Sequence, residues 1–259
     1  MPPVRTFVIT GAGGHLGRAV ASWCARPETN LILLDRDVGR LRDCEAALGA
    51  SGASITAIDV DLADPDAGSG AIRSLPASLW SFPFSLVVAH GVPGRSGSVA
   101  PRLGALRHDD WRATIEANLS SVAFLIQAFL PRMKAAQGGR IVLVSSTAGL
   151  AGSPTAALSY AVSKAGVAAL PRLLAPELGP SGILINAVAP GKFSNADWPD
   201  DPEQVAQYAA TVPLGRLASA EEVAALIGFL ASEANTYLTG QTILQDGGRL
   251  SGFPPGGRR

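Results

Sequence analysis

Short, nearly all-apolar runs alternate along this chain with longer stretches whose apolar positions recur at helical spacing. Strands are predicted at Thr6-Phe7-Val8-Ile9-Thr10, Leu31-Ile32-Leu33-Leu34, Ile55-Thr56-Ala57-Ile58, Leu86-Val87-Val88-Ala89, Ile141-Val142-Leu143-Val144 and Ile183-Leu184-Ile185-Asn186. Helices are predicted from His15 to Arg26, through Leu41 and Leu48, and from about Asp109 to Ala136. A strand that is apolar on both sides has no face for water, so it belongs in a parallel sheet covered above and below. Right-handed crossovers then make a doubly wound α/β sheet the economical topology. No short-period repeat and no Ser-, Pro- or Gly-rich linker divides the chain. Residues 1–259 are therefore expected to form one domain, with the Pro/Gly-rich tail 252–259 lying over its surface.

Composition narrows the partners. At 47% hydrophobic residues the chain is too apolar for disorder and rich enough for a large core. Lys and Arg (21) balance Asp and Glu (21), so nothing in the net charge argues for nucleic acid or an anionic membrane. Cys24 and Cys44 fall in different predicted helices without metal-ligand spacing, which predicts reduced thiols and no metal. Met1-Pro2-Pro3-Val4-Arg5 lacks a signal-peptide core, and no uninterrupted apolar run approaches the ~20 residues of a membrane span. A soluble, cytoplasmic protein acting on a small molecule is expected.

Two stretches carry chemistry. Thr10-Gly11-Ala12-Gly13-Gly14-His15-Leu16-Gly17 lies between a predicted strand and a predicted helix. Glycines there permit a tight turn and let backbone approach a pyrophosphate, and the helix N-terminus offers unpaired amides. Gly11, Gly14, His15, Leu16 and Gly17 are thus candidate dinucleotide contacts. Asp35, closing the second strand, is placed to accept hydrogen bonds from an adenosine ribose and to repel a 2′-phosphate, which favours NAD over NADP. Arg36 beside it pulls the other way. The second stretch is Tyr160-Ala161-Val162-Ser163-Lys164, whose tyrosine and lysine share one helix face. An ammonium near a phenol is expected to lower a pKa that starts near ~10, so that Tyr160 can trade a proton with an alcohol or ketone.

With Ser145-Ser146 upstream and Pro190-Gly191 after the sixth strand, these motifs resemble, in order, those of the short-chain dehydrogenase/reductase family in its short single-domain form. Pro213-Leu214-Gly215-Arg216-Leu217, Gly240 and Asp246-Gly247-Gly248 are similar to its ending. The resemblance implies a Rossmann-type, mostly parallel sheet of seven strands with helices on both faces. It also implies an NAD(P)-dependent oxidoreductase that interconverts a secondary alcohol and a ketone. By the same resemblance Asn118 is the active-site asparagine that kinks its helix and holds a water against the lysine, Ser146 orients substrate, Tyr160 is the acid/base, and Lys164 binds the nicotinamide ribose. Asp61-Leu62 would lie at the adenine, Gly91 at the turn after the fourth strand, Pro190-Gly191 beside the nicotinamide, and Asn195 at its carboxamide. The helices starting near Asp109 and Tyr160 carry Val122, Phe124, Leu125, Phe129, Val167 and Leu170; in the family such helices pair subunits, which implies a homodimer or homotetramer. A 3-oxoacyl thioester reductase shares this skeleton, and an epimerase-like enzyme and a catalytically silent dinucleotide sensor are the other readings.

Three departures from the family pattern stand out. His15 replaces the middle glycine of the short form, while Gly14 and Gly17 fit the spacing of the longer, epimerase-like branch. Val88-Ala89-His90-Gly91 stands where the family has Asn-Asn-Ala-Gly, so both asparagines are lost. Pro171 and Pro176 fall inside the helix after Lys164 and are expected to bend or break it near Val167 to Arg172. Finally, residues 192–213 make a long connection carrying Phe193, Trp198 and Tyr208, the length of a substrate lid, with Phe193 and Trp198 as candidate substrate contacts.

Overall fold

Every predicted strand forms. The computed structural model describes residues 5–76, 84–94, 103–153, 155–195 and 201–251, so the expected substrate contact Trp198 and the tail 252–259 lie outside the described residues. The strands are β1 (Arg5–Thr10), β2 (Thr29–Asp35), β3 (Ser54–Asp59), β4 (Phe84–Val88), β5 (Gly139–Val144), β6 (Ile183–Pro190) and β7 (Thr242–Gln245). They pair in the order β3-β2-β1-β4-β5-β6-β7, and every pairing is parallel. Strand order reverses between β1 and β4, which opens a crevice at the carboxyl ends of those two strands.

Side-chain alternation divides the core into two layers. Phe7, Ile9, Leu31 and Leu33 point to one face and meet α1 (His15–Cys24), α2 (Val38–Leu48) and α9 (Ala220–Ala231) through Val20, Leu41, Val223 and Ile227. Val8, Ile32, Leu34 and Leu86 point to the other. There they meet α3 (Pro65–Ser74), α5 (Ser121–Ala135) and α7 (Leu158–Leu178) through Ile72, Phe129, Met133 and Val167. Cys24 and Cys44 are buried, unpaired thiols in the first layer; burial pushes them up to about 12 and about 11, which makes them inert.

Two expectations need correcting, and a third element forms with an added feature. The helix with Pro171 and Pro176 does not break: α7 runs unbroken from Leu158 to Leu178. Val167, Ala168, Pro171 and Leu178 are buried along it, and the Thr242 hydroxyl donates to the Ala168 carbonyl at 2.7 Å, so packing outweighs the lost donors. The long helix expected from about Asp109 to Ala136 forms over His108–Ala135, with a π-helical turn (Glu116–Ser120) joining α4 (His108–Ile115) to α5. The run His108–Ala135 is long and apolar enough to span a membrane by length and composition. Here, however, Val122, Leu125, Phe129 and Met133 are spent against the sheet. The connection after β6 is not all loop, for it carries α8 (Pro202–Ala209), capped by the Asp201 carboxylate accepting from Glu203 N–H at 3.1 Å.

Candidate functional site

The turn from β1 into α1 is built from backbone. Gly11 adopts φ +66°, and a Cβ there would come within 2.7 Å of His90 Cα. Ala12 N–H donates to Leu34 O at 3.2 Å and Gly14 N–H to Gly11 O at 3.0 Å. The first bond of the helical ladder is Arg18 N–H to Gly14 O at 2.9 Å, and Gly14 caps the helix without a side-chain bond. The amides of His15, Leu16 and Gly17 therefore stand ahead of the ladder with the positive end of the helix behind them, the arrangement that holds phosphate. Asp35 braces this turn: one carboxylate oxygen accepts from Gly13 N–H and the other from Asp37 N–H, each at 2.9 Å. Arg36 lies 3.7 Å from Asp61, an exposed pair. Leu62 faces away from this edge, buried in the second core layer.

Across the crevice, β5 and α7 bring the predicted catalytic side chains together. Ser145 is fully committed to structure, its hydroxyl donating to the Lys164 carbonyl at 2.7 Å. Ser146 Oγ accepts from Ala148 N–H at 3.2 Å and acts on the Tyr160 phenol, favouring its ionised form. Lys164 is buried, donates from Nζ to Val144 O at 2.8 Å and lies 5.8 Å from the centre of the Tyr160 ring. Burial pulls the ammonium down to about 8. Burial also raises the Tyr160 phenol, with Ser146 only partly opposing it. Lys164 is not among the groups that move the phenol here, and desolvation sets its direction. Gly149 lets the short helix α6 (Ala148–Ala151) lie on α7, since a Cβ there would be 2.6 Å from the Lys164 carbonyl carbon.

Asn118 sits fully buried in the π-helical turn. Its carboxamide accepts from Val92 N–H at 2.7 Å and donates to Val92 O at 2.9 Å and to Ser163 Oγ at 3.2 Å. Ser163 in turn donates to the Tyr160 carbonyl at 2.7 Å. Gly91 fits between these groups, and a Cβ on it would be 3.0 Å from Asn118 Oδ1 and 3.5 Å from Lys164 Nζ. Thr147 N–H donates to Pro190 O at 3.0 Å, tying the serine loop to the turn after β6. Lys192 N–H donates to the Tyr208 hydroxyl at 2.9 Å, so α8 holds that turn. Phe193 bridges to Ala218 and packs on the first core layer, and Asn195 is half-buried beyond it. Tyr208 was expected only as an aromatic of the long connection, and His90, Thr10, Ser121 and Ser163 were not expected as site residues. Of these four, only His90 carried a signal, as a departure from the family pattern.

The lysine has a measurable signature. An ordinary lysine titrates near 10.5 and this one near about 8, so between those values the unfolded chain holds a proton that the folded chain lacks. Its contribution to stability therefore rises with pH through that window and is level below it. Lys164→Met should lack this rise, on the order of 3 kcal/mol across the window. Melting temperature against pH for both proteins checks it; parallel curves would contradict a buried, depressed lysine.

A family profile described as enoyl-(acyl carrier protein) reductase matches residues 11–249. Oxidoreductase UcpA of Escherichia coli (strain K12) is 34% identical over 255 residues, covering 94% of each chain. The chain belongs to the short-chain dehydrogenase/reductase family. Cis-4-hydroxycyclohexanecarboxylate dehydrogenase of Sinomonas cyclohexanicum is 36% identical over 245 residues, covering 94% of this chain and 96% of that one. A crystal structure of a 3-oxoacyl-[acyl-carrier protein] reductase with bound NAD from Brucella melitensis superposes with a TM-score of 0.87 at 31% identity, over 95% of this chain and 91% of that one. As a short-chain dehydrogenase/reductase, the protein is an NAD(P)-dependent enzyme.

Proposed function

We propose that this enzyme interconverts a secondary alcohol and a ketone, with NAD as the preferred cofactor and Tyr160 as general acid/base. The observation that carries the reading is the convergence of Tyr160, Ser146 and the buried Lys164, whose Nζ lies 5.8 Å from the centre of the Tyr160 ring. The residues fit a dinucleotide: Gly11, Gly14, His15, Leu16 and Gly17 would hold the pyrophosphate on the uncapped end of α1. Asp35 would accept from the ribose, Asp61 would lie by the adenine, and Gly91, Pro190, Gly191 and Asn195 would line the nicotinamide end. The Asp35 carboxylate at the ribose position, with Arg36 drawn toward Asp61, supports NAD over NADP. When bound, the cofactor supplies or accepts the hydride at the substrate carbon.

The chain's own side chains do the rest. Ser146 and Tyr160 donate hydrogen bonds to the substrate oxygen, and Tyr160 gives up its proton as that oxygen gains charge. Lys164, charged beside the ring, favours the phenolate that results. Oxidation reverses each transfer. A sensor that only binds dinucleotide has no use for this proton path. The name of the Sinomonas relative, a ring alcohol, agrees with a cyclic substrate meeting Phe193 and Trp198. The name of the Brucella relative favours an acyl thioester instead. Following reduced-nicotinamide absorbance over a panel of cyclic and acyclic ketones, their alcohols and a 3-oxoacyl thioester decides between them. Turnover of none of these would sink the reading.

Phe124 on α5 and Leu158 and Val162 on α7 remain exposed, at 45%, 38% and 41%, whereas Val122, Leu125, Phe129 and Val167 face the sheet. That residual apolar area supports a homodimer or homotetramer built on these two helices. Light scattering at micromolar concentration should return a multiple of the chain mass, and a monomer would overturn it.

A further inference from the structure

We infer that His90 is a positioning residue, a neutral imidazole that fixes the 90–92 strip against which Asn118 and Lys164 are set. Its two ring nitrogens bridge separate elements: Nδ1 lies 2.7 Å from the Thr10 hydroxyl at the end of β1, and Nε2 lies 2.8 Å from the Ser121 hydroxyl at the start of α5. The partners settle the tautomer. Ser121 Oγ donates its proton to Ala117 O in the π-helical turn at 2.9 Å, so toward His90 it can only accept, and Nε2 carries the proton. Nδ1 is then the acceptor and Thr10 the donor, while Thr10 Oγ1 accepts from Ala89 N–H at 3.2 Å. Every group in the chain is satisfied in this direction, whereas a proton on Nδ1 would turn the Thr10 hydroxyl to the longer contact with Val87 O at 3.5 Å and take the Ser121 proton from Ala117 O.

This chain clamps the strip at one end as Asn118 clamps it at the other through Val92. Between the clamps lies Gly91, whose Cβ position is 3.5 Å from Lys164 Nζ. A shift of His90 is thus a shift of the wall that keeps water from Lys164. An imidazolium cannot serve, because its charge would be buried and would face Lys164, opposed among the described residues by Asp61 alone. The single histidine replaces the steadying hydrogen bonds lost with the two asparagines.

The chain has three histidines and three lysines, so single sites are resolvable by nuclear magnetic resonance. In ¹⁵N-histidine-labelled protein, His90 should be the Nε2–H tautomer and stay neutral from about pH 5 to about pH 8. An Nδ1–H tautomer, or titration in that range, would overturn the inference. In ¹³C-lysine-labelled His90→Phe, which keeps ring bulk but no hydrogen bond, the Lys164 midpoint should rise from about 8 toward the ordinary lysine value. Ser121→Ala, which removes the far acceptor together with its bond to Ala117 O and serves if His90→Phe does not fold, should move it less and in the same direction. A lowered melting temperature with an unmoved Lys164 midpoint would make His90 a structural filler only. The catalytic meaning rests on the proposed reaction: with a panel substrate, kcat of His90→Phe should fall roughly tenfold to a hundredfold. Lysine titration needs no substrate, so an enzyme silent on the whole panel would defeat the proposed reaction while leaving the positioning result readable.

Discussion

Tyr160→Phe removes turnover, lowering kcat by roughly 10²–10⁴-fold, the range a positioned proton donor supplies, while cofactor affinity stays within about twofold of the wild type because the glycine turn is untouched. The change deletes one hydroxyl and leaves the ring in place above Lys164. A single lost hydroxyl costs about 1 kcal/mol in stability, so the melting temperature falls by only a few degrees. The pH dependence carries the sharper test. Burial holds the phenol protonated above its ordinary range, so at neutral pH the residue is ready as an acid for ketone reduction. Alcohol oxidation needs the phenolate and should speed up as pH rises. Reduction should stay level through neutrality and fall as the phenol and Lys164, depressed to about 8, lose their protons. Steady-state rates in both directions across that range, with cofactor titrations by fluorescence, measure all of it. A variant that turns over like the wild type removes Tyr160 from the mechanism.

The strands and the glycine turn were legible because their cause is local. An all-apolar run such as Leu31-Ile32-Leu33-Leu34 has one stable environment, and Gly11 at φ +66° under His90 is a position where only glycine is unstrained. The choice of Ser146 over Ser145 rested on resemblance, and the bond from Ser145 to the Lys164 carbonyl gives it a physical reason. What sequence did not yield depends on distant partners. Whether Pro171 ends a helix turns on the core it enters and on Thr242, far along the chain. Whether a lysine lowers a tyrosine turns on how much water reaches both, and here the ammonium bonds Val144 O while burial governs the phenol. The π-helical turn at Asn118 is invisible to apolar spacing, since its purpose is to aim one carboxamide at Val92. His90 stood out only as part of the stretch that has lost both asparagines, because Thr10 and Ser121 are not its neighbours in sequence.

Gly17→Ala should be the most damaging single methyl in the nucleotide turn. Gly17 is buried in the first turn of α1, and a Cβ there would overlap the Gly11 carbonyl oxygen and come within 2.7 Å of its carbon and 2.8 Å of Ala12 Cα. All three are backbone, so no rotamer change relieves the contact. Nor can α1 retreat, for Val20, Ala21 and Cys24 are packed into the first core layer, and Trp23 of α1 fills the space that Gly228 leaves on α9. The turn itself must move, carrying with it the amides of His15, Leu16 and Gly17. Overpacking of this kind costs about 1–3 kcal/mol, roughly 2–10 °C in melting temperature for a chain of this size. Binding of the reduced dinucleotide should weaken by tenfold or more, because the amides no longer converge on the phosphates. Gly14→Ala is the matched control: its Cβ would meet only Gly11 O, at 3.2 Å, so stability should fall by well under ~1 kcal/mol. Calorimetry and fluorescence titration on the two variants separate a clash in the turn from a general intolerance of side chains there. Gly17→Ala binding the dinucleotide as tightly as Gly14→Ala would show that the turn is not the phosphate cradle.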